Sequence, residues 1–227
     1  MIIIAWDIET CPLPVETLGP RQLRRYESLL KAELDRAAAG AEEEDASRRV
    51  RSLHPALGWI CCASFVRLQD DGTTAEPRSF SAADPDAERA MLRCLWDTLG
   101  RMPARVQWVT CNGKRFDCEW LMTRTVAHGL TPPRCDILAR NPYAHRAHAD
   151  LLNLWRSNRM GLADVCELLG VPTPKSDLDG SKVTETVASG GPGSRRPILR
   201  GRRRGHRALF PPPQAYLRRH VPRAPRV

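Results

Sequence analysis

Four absences narrow the possibilities for this chain. No stretch of about 18 apolar residues runs uninterrupted, so no segment reads as a membrane span. No Cys-x-x-Cys pair occurs among Cys11, Cys61, Cys62, Cys94, Cys111, Cys118, Cys135 and Cys166, which argues against a zinc knuckle. Most of these cysteines have apolar sequence neighbours and read as reduced core thiols. The N-terminus has no basic region leading into a long apolar segment, so it does not read as a signal peptide, and a cytoplasmic location is the default expectation. Finally, acidic residues are absent after Glu185.

That last absence controls how the net charge of +9 is read. Residues 195–227 contain 11 Arg and no Lys, Asp or Glu, whereas residues 1–194 hold 24 basic against 26 acidic residues. The basic character belongs to the tail, and the folded part cannot be assigned to nucleic acid on charge alone. At 227 residues and 42% hydrophobic content, the chain suits one domain with a substantial core plus an appendage.

The most informative residues present are Asp7 and Glu9. Ile2–Ala5 reads as a buried strand, and the two carboxylates follow at alternate positions. Period-two alternation puts them on one face, where like charges repel. A divalent cation bound by carboxylate oxygens would compensate them; a strand running out into a solvated turn is the alternative.

The spacing predicts a first strand over residues 2–8 and a helical insertion at 13–52, with stretches at Glu16–Ala38 and Ala41–Arg51. Gly58–Leu68 and Pro77–Ser81 read as a hairpin around Asp70-Asp71-Gly72. Asp84–Leu99 is an amphipathic helix, Arg105–Thr110 a strand and Phe116–His128 a helix. Further helices are expected at Asp150–Asn158, Gly161–Leu169 and Val183–Ala188. Beyond the breaker cluster Gly190–Ser194, the Arg- and Pro-rich tail has no apolar periodicity and is expected to be disordered.

A second signal is Asn112-Gly113-Lys114-Arg115-Phe116-Asp117, which leaves a strand and opens a helix. Asp117 in a first helical turn can be structural. It could equally meet Asp7 and Glu9 at the strand ends, where ligands of α/β sheets gather.

Asp7-Ile8-Glu9-Thr10, and Asn112–Asp117 with Leu121 and Arg124 behind it, resemble the first two motifs of DEDD-type 3′–5′ exonucleases of the ribonuclease H-like superfamily. The likeness is greatest to the family predicted to resemble the proofreading exonuclease of family-B DNA polymerases. Ser52–Pro55 with Gly58-Trp59-Ile60, His148–Leu151, and Gly170-Val171-Pro172 with Lys175, Asp177, Asp179-Gly180-Ser181 and Val183 extend it over residues 1–190. The resemblance implies an α/β, ribonuclease H-like mixed sheet of about five strands flanked by helices. It also implies phosphodiester hydrolysis at single-stranded DNA or RNA 3′ ends, with two Mg²⁺ or Mn²⁺ ions on Asp7, Glu9 and Asp117. Thr10, Asn112, Lys114, Arg115 and Phe116 would contact substrate, although Phe116 also suits core packing.

The same resemblance requires a fourth carboxylate on a late helix, near residues 195–210, in a Tyr-x-x-x-Asp or His-x-x-x-x-Asp arrangement. No acidic residue exists there. His145-x-x-x-x-Asp150 has the spacing but lies before the Gly161–Leu169 segment, where Asp150 more naturally anchors a helix. The change of character at Gly190 suggests out-of-frame translation of GC-rich codons. An impaired enzyme is then expected, or the inactive product of a frameshifted gene. Alternatively the tail is a basic arm and the chain a non-catalytic nucleic-acid-binding protein. Loss of the last helix also leads us to expect an exposed apolar patch on one sheet face.

Overall fold

β1 (Ile2–Pro12) lies at the centre of the sheet, flanked by an antiparallel and a parallel neighbour. The computed structural model describes residues 1–37, 42–154 and 160–170; the expected Val183–Ala188 helix, the Arg-rich tail and the 1–190/191–227 boundary lie outside them. β2 (Gly58–Leu68) pairs antiparallel with β1 and with the edge strand β3 (Arg78–Ser81). On the other side β4 (Val106–Thr110) runs parallel to β1, and β5 (His148–Asp150) runs parallel to β4. The order is therefore β3-β2-β1-β4-β5, a mixed five-stranded sheet of the expected class. The three parallel strands all end on the same side.

Alternation along β1 assigns its two faces. Ile4, Trp6 and Ile8 enter the main core with Leu92, Leu95 and Leu99 of α3 (Glu88–Gly100) and Trp120 and Leu121 of α4 (Asp117–Ala127). Each of these leucines is fully buried, a gain of about 1.5–3 kcal/mol apiece relative to exposure. Ala5 faces the other way, joining Leu68 and Val109 with Ile3, Ala149 and Leu151 packed around them. All three are buried, so the bare apolar face expected from loss of a late helix is not found at these positions. Asp7 and Glu9 continue this second side of β1.

The insertion between β1 and β2 forms a 3-10 turn at Val15–Thr17, then α1 (Pro20–Leu34) and α2 (Glu43–Ser52). The helix expected from Glu16 starts at Pro20 because proline suits a first helical position and the Gln22 side chain accepts the Gly19 N–H at 2.9 Å. Tyr26 and Ser47 hydroxyls meet at 2.7 Å between the two helices. β1 runs on to Pro12, beyond the expected residue 8, because an irregularity between Glu9 and Thr10 lets it resume pairing with β2.

The expected Asp150–Asn158 helix is corrected. Asp150 closes β5 rather than opening the helix, α5 (Leu151–Leu154) follows it, and 155–158 of the expected helix lie outside the described residues. His-Ala-Asp has no strand-like hydrophobic pattern; it becomes a strand because β4 presents backbone groups to it. α6 (Leu162–Leu168) falls within the expected Gly161–Leu169 segment. All eight cysteines are free; four are buried, Cys62 and Cys111 are half-buried, and Cys94 and Cys135 are exposed. No helix among the described residues is long and apolar enough to cross a membrane.

Candidate active site

β1 outlasts β4. Their pairing stops at Ala5 with Val109, and beyond it the Ile8 N–H is taken by the Asp117 Oδ1 at 3.0 Å. Asp117 thus stands in for the missing strand at the mouth of the crevice, joining residues 109 positions apart in the chain. Its carboxylate is almost completely buried. Burial, followed by the negative charge of Asp7, raises its pKa well above the usual carboxylate range, while the Ile8 amide opposes that rise. The Asp7 side chain also lies within hydrogen-bonding reach of it. The fold therefore brings together Asp7 and Asp117 from opposite ends of the expected site.

Glu9 lies opposite Cys62 in the β1–β2 pairing, and Asp7 opposite Ser64. Burial is the main cause that pushes the Cys62 thiol up to about 11; Glu9 and Asp7 add to it, placing both carboxylates in one electrostatic neighbourhood. Among the described residues, no group of three or more His, Cys, Asp and Glu side chains is drawn together tightly enough to cage a metal ion. The donor chemistry nonetheless suits a hard cation: a buried carboxylate held against a second one is relieved by a divalent ion on their oxygens.

The turn that delivers Asp117 is specified residue by residue. Asn112 adopts φ 69°, the left-handed region that Asn tolerates better than most side chains. Its carbonyl accepts the N–H groups of Arg115 (3.2 Å) and Phe116 (3.0 Å), and the Gly113 carbonyl accepts that of Cys118 (2.8 Å). A Cβ on Gly113 would fall 2.4 Å from the Thr110 Cβ, so only glycine fits. Thr110 is itself engaged, with its hydroxyl 2.8 Å from His148 Nε2. Burial, reinforced by the Lys114 ammonium, pushes the His148 pKa down to about 4.

The other sequence-expected residues divide into two groups. Asn112 and Arg115 are exposed at the strand ends. Three make contacts within the protein: Thr10 and Phe116 are half-buried and Lys114 is buried. The Thr10 hydroxyl donates to the Ser52 carbonyl at 2.7 Å, fastening the insertion to β1. The Lys114 ammonium donates to the Asn141 and Ala144 carbonyls at 2.6 and 2.8 Å, and the residue is buried. Phe116 packs on Trp120 with ring centroids 5.8 Å apart and flanks the main core.

His145 and Asp150 do not present a free acid–base pair. Asp150 is buried, and its two oxygens accept the N–H groups of Asn112 (2.8 Å), Lys114 (3.0 Å) and Leu152 (3.1 Å). His145 Nδ1 is buried without a hydrogen-bond partner, and its pKa is lowered by burial and then by Lys114. Sequence reasoning missed the contact from Asp150 to Asn112 and Lys114. Its only trace was an Asp beside a strand–helix junction, which reads equally as a simple helix cap.

A model of the family described as predicted 3′–5′ exonucleases related to the exonuclease domain of PolB matches residues 53–194. The chain belongs to this family. The exonuclease match includes Asn112–Asp117 and Asp150, while Asp7 and Glu9 precede it. Among solved structures, the family B DNA polymerase of the hyperthermophilic archaeon Pyrobaculum calidifontis is similar at 20% identity and TM-score 0.54, over 95% of this chain and 24% of the polymerase. The zinc-bound E. coli exonuclease I complex with single-stranded DNA is 14% identical with TM-score 0.45, over 86% of this chain and 41% of that one. The chain thus spans about a quarter of the polymerase and under half of exonuclease I. At 20% identity, the polymerase likeness establishes the fold. No curated protein matches the sequence.

Proposed function

We propose that residues 1–190 form a metal-dependent 3′–5′ exonuclease domain acting on single-stranded DNA or RNA ends. The observation that carries this is the meeting of Asp7 and Asp117 at the mouth of the β1–β4 crevice, within a chain of the exonuclease family. Asp7 and Asp117, with Glu9 beside them, would hold Mg²⁺ or Mn²⁺. Bound cations would supply the Lewis acidity that activates water and stabilises the departing oxygen of a phosphodiester. The protein's own contribution is to fix Asp117 through the Ile8 amide and to present Asn112 and Arg115 to the terminal nucleotide.

The same reading makes this chain a weak catalyst. No carboxylate follows Glu185 in sequence, and Asp150 is engaged by three backbone amides. The test is hydrolysis of an end-labelled oligonucleotide with Mg²⁺ or Mn²⁺ by this chain and by Asp7→Ala. Shortening from the 3′ end that disappears in Asp7→Ala supports the assignment; activity indifferent to the substitution sinks it.

The 11 arginines of residues 195–227 favour a second reading, a non-catalytic protein that grips phosphates through its tail. It predicts oligonucleotide binding with steep salt dependence that vanishes on deletion of 195–227. If the gene read in its other frames just after residue 190 encodes a helix carrying Tyr or His and Asp, the tail is instead a frameshift product.

A further inference from the structure

We propose that Asp150 is a positioning residue for the metal site, acting from β5 through the turn that carries Asp117. This rests on the reading of Asp117 as a cation ligand. One nearly inaccessible carboxylate accepts two amides of the β4–α4 turn, Asn112 and Lys114, and one at the start of α5, Leu152. Neither turn amide belongs to a strand, and Asn112 is held in a left-handed conformation that must be stabilised from outside. Three residues after Lys114, Asp117 reaches across to the Ile8 amide of β1. The chain of contacts runs from Asp150 to the 112–114 turn, to Asp117, and then to β1.

The alternatives for Asp150 are weaker. A helix cap needs only the Leu152 contact and leaves the two turn amides unexplained. A catalytic carboxylate needs oxygens facing substrate, whereas these face backbone N–H groups. Lys114 reinforces the same turn from its other end, because its ammonium is bound to the carbonyls of Asn141 and Ala144. A buried carboxylate taking several charge-assisted hydrogen bonds holds geometry better than neutral acceptors do.

The test combines amide hydrogen exchange with Mn²⁺ binding, read by electron paramagnetic resonance without substrate. In the wild-type chain, the amides of Asn112 and Lys114 should be protected like sheet amides despite lying in a turn. If both exchange at the rate of an open loop, the proposal is overturned without any variant having to fold. In Asp150→Asn, the Ile8 amide should exchange about tenfold faster while those of Leu92–Leu99 keep their protection. Mn²⁺ should bind about tenfold more weakly. Unchanged Ile8 exchange in a folded Asp150→Asn overturns the proposal. If the wild-type chain binds no Mn²⁺, the metal assignment fails, while the exchange data still decide whether Asp150 positions Asp117.

Discussion

Glu88 and Arg124 form a buried ion pair between α3 and α4. The carboxylate receives the Arg124 Nε at 3.0 Å and Nη2 at 2.5 Å, and also lies 2.7 Å from His128 Nε2. It accepts the Ile60 N–H at 2.7 Å as well. Ile60 pairs with Thr10 where the β1–β2 register shifts, so this pair anchors the sheet irregularity that separates Glu9 from Thr10. Breaking a buried pair from one side leaves an uncompensated charge. Arg124→Met should therefore destabilise the fold by about 3–5 kcal/mol in urea denaturation. A loss below about 1 kcal/mol, the range of exposed pairs, would show the pair to be solvated.

Asp117 should oppose stability in the metal-free protein. Burial and Asp7 raise its pKa in the folded state, so the native form holds a proton that the unfolded chain has already lost. Its stabilising contribution is present at low pH and disappears as pH rises through the folded value. Asp117→Asn should raise the metal-free melting temperature near neutral pH. It should also flatten the pH dependence and reduce exonuclease activity by more than about 100-fold. A lower melting temperature would contradict the electrostatic account.

His148 should act with the opposite sign. Its folded pKa of about 4 lies below the usual imidazole value of about 6.5. Stability is complete above the unfolded value and lost as pH falls toward the folded one, by about 3 kcal/mol in all. Proton NMR titration of the imidazole and urea melts of the wild type and His148→Gln separate this slope from that of Asp117. An imidazole titrating near its usual value would remove the predicted contribution.

Gly113→Ala should disturb the site through sterics alone. The added Cβ meets the Cβ, Oγ1 and Cγ2 atoms of Thr110 at 2.4–2.6 Å, and Thr110 is buried against His148. The expected loss is about 1–3 kcal/mol, with altered amide shifts at Asn112, Lys114 and Asp117. Wild-type stability and an unshifted spectrum would mean the turn has room that this geometry denies.

Local chemistry made much of the molecule legible in the sequence. The apolar run before Asp7 specifies a buried strand, Met91, Leu95 and Leu99 specify the inner face of α3, and Asn112-Gly113 specifies a tight exit from β4. β5 was not legible, because three residues with polar ends become a strand only when β4 offers them hydrogen bonds. Nor was the course of Lys114: its charge suggested phosphate, but the carbonyls of Asn141 and Ala144 surround it only after the chain has folded back.

The sequence by itself determined the residue types of the candidate site and the family to which the chain belongs, since both depend on short motifs and their order. Only the tertiary structure decided which carboxylates meet. Asp7 meets Asp117 because β1 outlasts β4 and leaves the Ile8 amide to be satisfied, while Asp150 turns inward because two turn amides lack strand partners. Buried backbone donors must find acceptors, and the acceptors that serve them can stand more than a hundred residues away.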